Sequence, residues 1–188
     1  MPPKQRITRE MILDKSFAMF RTEGMEAVNA RSIAKALNCS TQPIFSYFSG
    51  MEDLKQALDQ RARDSFQESI ACGDGGSLSL MGACNAYVRF AGEHPRLFAY
   101  LFMRNGDKAK GTPVSREMHM TLASQESEVS GLSGDQAREL CMSLWVYAHG
   151  LAAARAAGFV TLTDECVSKT LSRLREGELM RIRQCAIA

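Results

Sequence analysis

Three adjacent residues, Thr41, Gln42 and Pro43, have side chains of the kind that proteins use to read DNA bases. A glutamine amide can pair with adenine through two hydrogen bonds, and a threonine can hydrogen-bond a base or touch a thymine methyl group. Proline offers an apolar contact to the same edge. The three residues begin a short predicted helix. In a helix-turn-helix protein, the residues at the start of the second helix contact base edges in the major groove.

Residues near this triplet could bind the phosphate backbone. Ser46 and Tyr47 lie later in the same predicted helix and carry hydroxyl donors. Arg31, near the start of the preceding helix, could reach a guanine or a phosphate, or it could form a surface ion pair. Lys4 and Arg6 precede the first helix, where they could lie along the DNA backbone or belong to a solvated tail.

Residue sets typical of enzymes are weak by comparison. The stretch 106–112 lacks the lysine that follows the second glycine of a phosphate-binding loop, and no strand precedes it. His94, His119 and His149 do not have metal-ligand spacing, and no G-x-S-x-G elbow is present. The six cysteines form no C-x-x-C pair, and we expect them to be reduced, small apolar residues. We therefore expect no enzyme activity, no metal and no cofactor.

The elements that must position these side chains are helices, and no convincing strand period is present. Residues 29–48 have the spacing of a helix-turn-helix, with two helices of about two turns joined by a short turn at Asn38. Asparagine tolerates the left-handed conformation that such a turn needs. A preceding helix is predicted over residues 8–23, with Leu13, Phe17 and Phe20 on one face.

Two capping boxes mark the starts of longer helices. Ser49-x-x-Glu52 predicts a fourth helix to about residue 72, and Ser133-x-x-Gln136 opens a long helix that ends near residue 157. With the helices between and after them, we count about nine. The predicted fold class is all-α: a three-helix helix-turn-helix domain followed by a larger C-terminal helical bundle.

Composition and charge agree with a globular protein that could contact a polyanion at one end. The chain has 188 residues, 45% of them hydrophobic and 23% charged, which excludes disordered and collagen-like classes. The net charge is +2, of which the first 50 residues carry +3 and the rest −1. No stretch is long enough to cross a bilayer, and the first ten residues lack the apolar run of a secretory leader. We expect a cytoplasmic protein.

The stretch of residues 7–54 resembles the DNA-binding domain of the TetR family of transcriptional regulators. The matching residues are Phe20, Gly24, Val28, Arg31, Ile33, Ala34, Leu37, Ile44, Tyr47, Phe48, Glu52 and Leu54. The sequence departs from the family pattern at Asn38, where glycine is usual, at Phe45, where tyrosine is common, and at Met51, where lysine is usual. Phe45 remains a candidate DNA contact. Because the last two departures remove potential phosphate donors, we expect a shallow salt dependence of DNA binding.

The rest of the chain resembles a TetR subgroup with a Trp-His-Gly signature. The residues concerned are Trp145, His149 and Gly150, with His94-Pro95-x-Leu97-Phe98 upstream. The resemblance implies a helical ligand-binding and dimerisation domain whose last two helices pair with those of a second subunit. Small residues such as Ala148, Gly150 and Ala152 would let helix backbones approach closely, although they could equally pack within their own chain. We place the DNA-binding domain at 1–50, a linking helix at 51–72 and the second domain at 73–188.

Aromatic and methionine side chains in the second domain are the candidates for a ligand pocket. Such side chains can line an adaptable apolar site, although any one of them could instead be ordinary core. The candidates are Tyr87, Phe90, Phe98, Phe102, Met103, Met118, Trp145 and His149.

Together these features predict a regulator that binds a pseudo-palindromic operator in double-stranded DNA as a homodimer. The resemblance implies a repressor released by a small apolar effector, without indicating the operator, the effector or the controlled genes. A ligand-independent helix-turn-helix protein that binds DNA or mediates protein interactions is the alternative.

Overall fold

A computed structural model describes residues 7–71, 79–103 and 116–185, with the side chains of 116–119 left aside. Two compact units divide inside a helix, the first ending at Ser65 and the second beginning at Phe66. Nine α-helices and no strand are present within these described ranges. The prediction of an all-α chain is therefore confirmed.

The first unit contains three short helices and the start of a long one. They are α1 (Arg9–Glu23), α2 (Ala30–Ala36), α3 (Gln42–Tyr47) and α4 (Met51–Ala71), with a single 3-10 turn at Met25–Ala27 after α1. Thr8 caps α1 and Asn29 caps α2 through side-chain oxygens that accept from backbone N–H groups. The predicted starts of these two helices are thus confirmed.

On α1, the predicted inward residue Phe20 is confirmed, whereas the other two predicted residues are one position away from the buried ones. The buried residues are Ile12, Ser16 and Phe20, whereas Leu13 and Phe17 are half-buried. The reason is that Phe17 lies at the edge of the core, with the Arg61 guanidinium 5.1 Å from its ring centroid. Arg61 also pairs with Asp14 at 2.6 Å, which ties α4 to α1 on this flank.

The start of α4 also differs from the predicted capping box. Asp53, not Glu52, accepts from Ser49, with the carboxylate Oδ2 at 2.9 Å from the backbone nitrogen and 3.2 Å from the hydroxyl. Glu52 pairs instead with Lys55 at 3.0 Å. The helix begins only at Met51, after Gly50, so the carboxylate that reaches back to Ser49 comes one residue later than the motif requires.

The second unit packs five helices and the end of α4 around a mostly aromatic and aliphatic core. The helices are α5 (Leu80–Glu93), α6 (Pro95–Phe102), α7 (Arg116–Ser130), α8 (Gly134–Ala156) and α9 (Asp164–Cys185). The capping box of Ser133 and Gln136 at the start of α8 is confirmed. Because α8 packs on α5, α7 and α9, it forms the centre of the unit.

A nearly buried ion pair joins α7 to α9. Glu126 is 7% exposed, and its Oε1 accepts from Arg175 and from the hydroxyl of Ser130. Arg175 also donates to the Ser130 oxygen at 2.8 Å. With these hydrogen bonds the buried carboxylate keeps partners for its charge.

Candidate nucleic-acid interface and ligand site

The short helix α3 is fixed by two buried side chains and presents its other side chains to solvent. Ile44 and Phe48 are 1–2% exposed and belong to the core of the first unit. On the outward side, Gln42 and Ser46 are exposed, and Phe45 keeps 52% of its surface. An exposed aromatic ring on a core-anchored helix is available for an apolar contact with a base.

Thr41 and Pro43, the other predicted base contacts, are half-buried at the start of α3. Proline in the first turn of a helix costs no hydrogen bond there. The chain turns between α2 and α3 at Asn38, whose φ of +51° lies in the left-handed region. The backbone N–H of the next residue, Cys39, donates to the Ala34 carbonyl at 2.9 Å and closes the end of α2. The predicted left-handed asparagine is confirmed.

Two of the predicted phosphate donors already have acceptors within the chain. The Ser46 hydroxyl donates to the Gln42 carbonyl at 3.0 Å, and the Tyr47 hydroxyl donates to the Ile7 carbonyl at 3.2 Å. Arg31 is exposed and makes no ion pair with any residue in the described ranges. Lys4 and Arg6 lie outside the described residues.

The segment of residues 36–51, which includes α3 and which we call the recognition segment, carries no charge. From Ala36 to Met51, the turn, α3 and the approach to α4 contain no Lys, Arg, Asp or Glu. Arg9, at the start of α1, lies with its Cζ 4.9 Å from the ring centroid of Phe48. Arg31 and Lys35 of α2 are exposed. The cations of this surface therefore come from α1 and α2.

In the second unit, most of the predicted ligand residues meet around one buried tyrosine. Four rings have their centroids within about 6 Å of the centroid of the Tyr87 ring. They are those of Trp145 at 4.5 Å, Phe98 at 5.3 Å, Phe102 at 5.4 Å and His149 at 6.0 Å. Phe90 joins through Phe66, whose ring is 5.2 Å away. We call this set, Phe66, Tyr87, Phe90, Phe98, Phe102, Trp145 and His149, the aromatic cluster.

A hydrogen bond joins two members of the aromatic cluster. The Tyr87 hydroxyl and His149 Nδ1 are 2.8 Å apart. Burial raises the pKa of Tyr87 well above its usual value, because a phenolate would lose its hydration. The donor in this hydrogen bond is the phenol or the imidazole, depending on the tautomer of His149.

Phe66 is the member of the aromatic cluster that the sequence reasoning missed. It lies on α4, 4.9 Å from Phe102 and 5.9 Å from Tyr87 between ring centroids. The available signal was a stripe along α4 with a spacing of exactly four residues, all buried: Leu54, Leu58, Ala62, Phe66 and Ile70. Of the other predicted ligand residues, Met103 is exposed, and the Met118 side chain is outside the described set.

Two cavities of the second unit lie away from the aromatic cluster. One of about 370 Å³ is lined by Ser79, Leu80, Met81, Gln125, Glu126, Glu128, Val129 and Arg175. The other, of about 240 Å³, is lined by Asn85, Arg89, Asp164, Glu165, Val167 and Ser168. None of the predicted ligand residues lines either of these cavities.

Family models match both parts of the chain. The model of bacterial regulatory proteins of the tetR family matches residues 12–58, and the tetracyclin repressor-like C-terminal domain matches residues 80–174, half of the chain. This chain belongs to the TetR family. The family is one of transcriptional regulators, not of enzymes, and its N-terminal helix-turn-helix binds DNA.

Two curated relatives of this TetR-family chain are themselves helix-turn-helix regulators. It is 24% identical to YobS of Bacillus subtilis over 57% of this chain and 58% of that protein. It is 23% identical to Rv0681 of Mycobacterium tuberculosis over 77% of this chain and 68% of that one. The match to YobS thus spans less than two thirds of that relative's length.

A solved structure shares the TetR fold. A TetR-like transcriptional regulator from Rhodococcus sp. RHA1 superposes with a TM-score of 0.63 at 19% identity, covering 93% of this chain and 99% of that one.

Both α8 and α9 have exposed apolar or glycine positions. On α8, Met142, Val146 and Gly150 follow each other at four-residue spacing and face outward, with Met142 and Val146 more than half exposed. On α9, Gly177 and Met180 are exposed in the same way. We call these five exposed positions of α8 and α9 the α8–α9 face. Ala148 and Ala152, also predicted to allow close helix approach, are buried within their own unit.

Two absences apply to the described residues. No group of three His, Cys, Asp or Glu side chains is placed to hold a metal ion. Within the same ranges, none of the helices combines the length and apolar character that crossing a membrane requires.

Proposed function

We propose that this TetR-family regulator binds a pseudo-palindromic operator as a homodimer, with one α3 helix of each subunit in the major groove. The observation that carries the proposal is the outward side of α3, where polar and aromatic side chains project from a helix held by two buried residues. Symmetric helix-turn-helix dimers place their recognition helices about 34–36 Å apart, one turn of DNA. The operator half-sites should have that spacing.

The side chains of α3 have different roles in this proposal. Thr41, Gln42 and Pro43 read base edges at the start of the helix, and Phe45 adds an apolar contact with a thymine methyl group. Arg31 positions the unit on a phosphate, and Ser46 would do so only by turning its hydroxyl away from the Gln42 carbonyl. Arg31 is suited to that task because it is exposed and makes no ion pair with a described residue.

The homodimer forms through the α8–α9 face. Glycine in the middle of a helix costs about 1 kcal/mol relative to alanine. At both Gly150 and Gly177, a Cβ atom would have no heavy atom within 4 Å among the described residues beyond its own helix. A partner helix that packs against these positions would account for both glycines, since close approach of backbones needs small residues.

A small apolar effector binds at the aromatic cluster and releases the protein from DNA, so that the protein acts as a repressor in the cytoplasm. The cluster offers aromatic surface and one hydrogen-bonding pair, Tyr87 and His149, which would select a largely apolar ligand with one polar group. An effector that favours the conformation unable to bind DNA shifts the population toward it. By reciprocity, DNA must weaken effector binding by the same factor.

The experiment that tests the proposal is selection of genomic DNA fragments by the purified protein at near-physiological salt. We expect enrichment of a short inverted repeat that is lost in Gln42→Ala. The matched control is Gln67→Ala, an exposed glutamine on α4 that makes no hydrogen bond with a described residue, and it should keep the wild-type repeat. Enrichment of fragments without a shared repeat, or an equal loss in both variants, would contradict operator reading by α3.

Effector binding is tested by thermal stabilisation across a library of apolar compounds. A true effector raises the free energy of unfolding by RT ln(1 + [L]/Kd), about 2.7 kcal/mol when the free ligand is at a hundred times its Kd. The thermal midpoint rises accordingly. It should also displace the selected operator, and Tyr87→Phe should weaken its effect. A protein that binds its operator but is stabilised by no compound would instead be a ligand-independent DNA-binding protein.

A further inference from the structure

The larger cavity of the second unit has the size of a small-molecule site. It lies between the start of α5, the end of α7 and the middle of α9, and its volume is about 370 Å³. Ligand pockets commonly have volumes of about 300–1,000 Å³, a range that includes this cavity and excludes the other one, of about 240 Å³. We call the larger one the α5–α7–α9 cavity. Its described lining includes no member of the aromatic cluster.

Glu126 gives this cavity a carboxylate that the protein uses only in part. The residue is 7% exposed and lines the cavity. Its Oε1 accepts from Arg175 and from the Ser130 hydroxyl, whereas Oε2 accepts no hydrogen bond from a residue in the described ranges. Each carboxylate oxygen can accept hydrogen bonds, and a buried charged group without enough donors costs free energy. The second oxygen therefore favours a donor that enters the cavity.

The charged groups that line the cavity indicate the sign of that donor. They are two carboxylates, Glu126 and Glu128, and one guanidinium, Arg175, which leaves one negative charge in surplus. Arg175 is paired with Glu126, whereas Glu128 is exposed and forms no ion pair with a described residue. A water molecule can donate to Oε2 but cannot offset the surplus charge. A cationic group does both, and its hydrogen bond to a carboxylate is stronger than a neutral one.

Apolar side chains complete the lining. Leu80 and Met81 come from the start of α5, and Val129 comes from α7. Val129 keeps 80% of its surface exposed. A ligand with a hydrocarbon part would cover these side chains and remove apolar surface from water, which favours binding.

We propose that the α5–α7–α9 cavity binds an organic cation, an ammonium group on a small apolar body. Oε2 of Glu126 accepts a hydrogen bond from the ammonium group, and Glu128 supplies a second negative charge. The hydrocarbon part lies against Leu80, Met81 and Val129. This ligand differs in class from the apolar effector of the aromatic cluster, and the inference does not rest on operator binding.

The test compares three probes of equal chain length at pH 7: hexylammonium, 1-hexanol and hexanoate. Their affinities for the purified full chain are measured by titration with saturation-transfer NMR. We expect hexylammonium to bind about five- to tenfold more tightly than hexanol, because a hydrogen bond between charged groups is stronger than one to a neutral group. Hexanoate should bind most weakly. Shortening the ammonium probe to butylammonium should weaken binding by up to about fourfold for each methylene that leaves the apolar side chains.

Two substitutions locate the site, and each is scored by the ratio of ammonium to hexanol affinity in the same variant. Glu128→Gln changes an exposed residue, so the fold should persist and the ratio should fall by up to about fivefold. Glu126→Gln should bring the ratio to one or below. Because both probes meet the same variant, a loss of stability alone does not change the ratio. The matched control is Glu93→Gln, an exposed carboxylate of α5 about 20 Å along the helix from Leu80, and it should keep the wild-type ratio.

Several results would overturn the proposal. Tighter binding of hexanoate than of hexylammonium would make Arg175 the polar partner and the ligand an anion. Equal affinities of the three probes would show that the carboxylates play no part. An ammonium preference that survives both Glu128→Gln and Glu126→Gln would place the probe elsewhere, and no saturable binding at millimolar concentrations would remove the site. Operator selection is independent of all these results, so the proposed function is tested separately.

Discussion

The substitution Gly150→Ala should distinguish a free α8–α9 face from one covered by a second subunit, because the two cases predict opposite signs. In an isolated chain, an added Cβ at Gly150 would have no heavy atom within 4 Å among the described residues outside its helix. Alanine in a helix interior is favoured over glycine by about 1 kcal/mol. A free face therefore predicts stabilisation and a thermal midpoint raised by about 2–4 °C for a chain of this size.

A covered face predicts a loss. If the partner's backbone approaches Gly150, the new methyl group overpacks the contact in both subunits, and inserted methyl groups cost about 1–3 kcal/mol. That cost corresponds to a dimer weakened by roughly fivefold to 150-fold. Sedimentation velocity over a range of protein concentrations measures the shift, and thermal midpoints at two concentrations check it, since dimer stability depends on concentration.

Two further variants make the result interpretable. Gly177→Ala on α9 should behave like Gly150→Ala, because both glycines are exposed on the α8–α9 face. Ser124→Ala on α7 is an exposed helix position outside that face, and it should raise the midpoint slightly through helix propensity alone. If Gly150→Ala raises the midpoint as Ser124→Ala does and leaves the dimer intact, this face is not where the subunits meet.

Three other predictions concern the interior. Gly92→Ala should displace the Arg155 guanidinium, whose Cζ would lie 2.7 Å from the new Cβ, from its ion pair with Asp164. Because that side-chain end can move and alanine is favoured in a helix, a thermal melt should show a net change below about 1 kcal/mol, and Arg155→Ala should remove the overlap. Burial raises the pKa of the Cys84 thiol to about 12, so a thiol reagent at pH 8 should modify exposed Cys166 and spare Cys84 until the chain unfolds, as mass spectrometry can show. Ser16→Ala should stabilise by about 1 kcal/mol in denaturant unfolding, because its buried hydroxyl has no partner among the described residues.

Features set by a few neighbouring residues could be predicted from the sequence. The left-handed Asn38 and the capping box of Ser133 and Gln136 both follow from local hydrogen bonding and steric preference, and both are present. The capping box at Ser49 was wrong by one residue because Glu52 and Asp53 both carry carboxylates that can reach back. Local patterns indicate that a cap exists more reliably than which side chain supplies it.

Contacts between distant residues could not be predicted in this way. The Tyr47 hydroxyl bonds a carbonyl forty positions earlier, and no spacing rule links the two residues. Phe66 joins Tyr87 and Phe102 in the aromatic cluster from a helix that was interpreted only as a linker. In both cases the residue type was ordinary, and only the packing of separate helices brought the partners together.

The arrangement of α8 ties the proposed effector site to the proposed dimer face. Trp145 and His149 turn toward Tyr87, with ring centroids 4.5 and 6.0 Å away. The residues that follow each of them, Val146 and Gly150, are exposed on the α8–α9 face. Successive residues of a helix are rotated by about 100°, so a rotation or shift of α8 that accommodates an effector at one side must move the other side as well. The proposed effector site and the proposed dimer face therefore share one helix, so that an effector bound beside Tyr87 would act on the proposed subunit contact through α8.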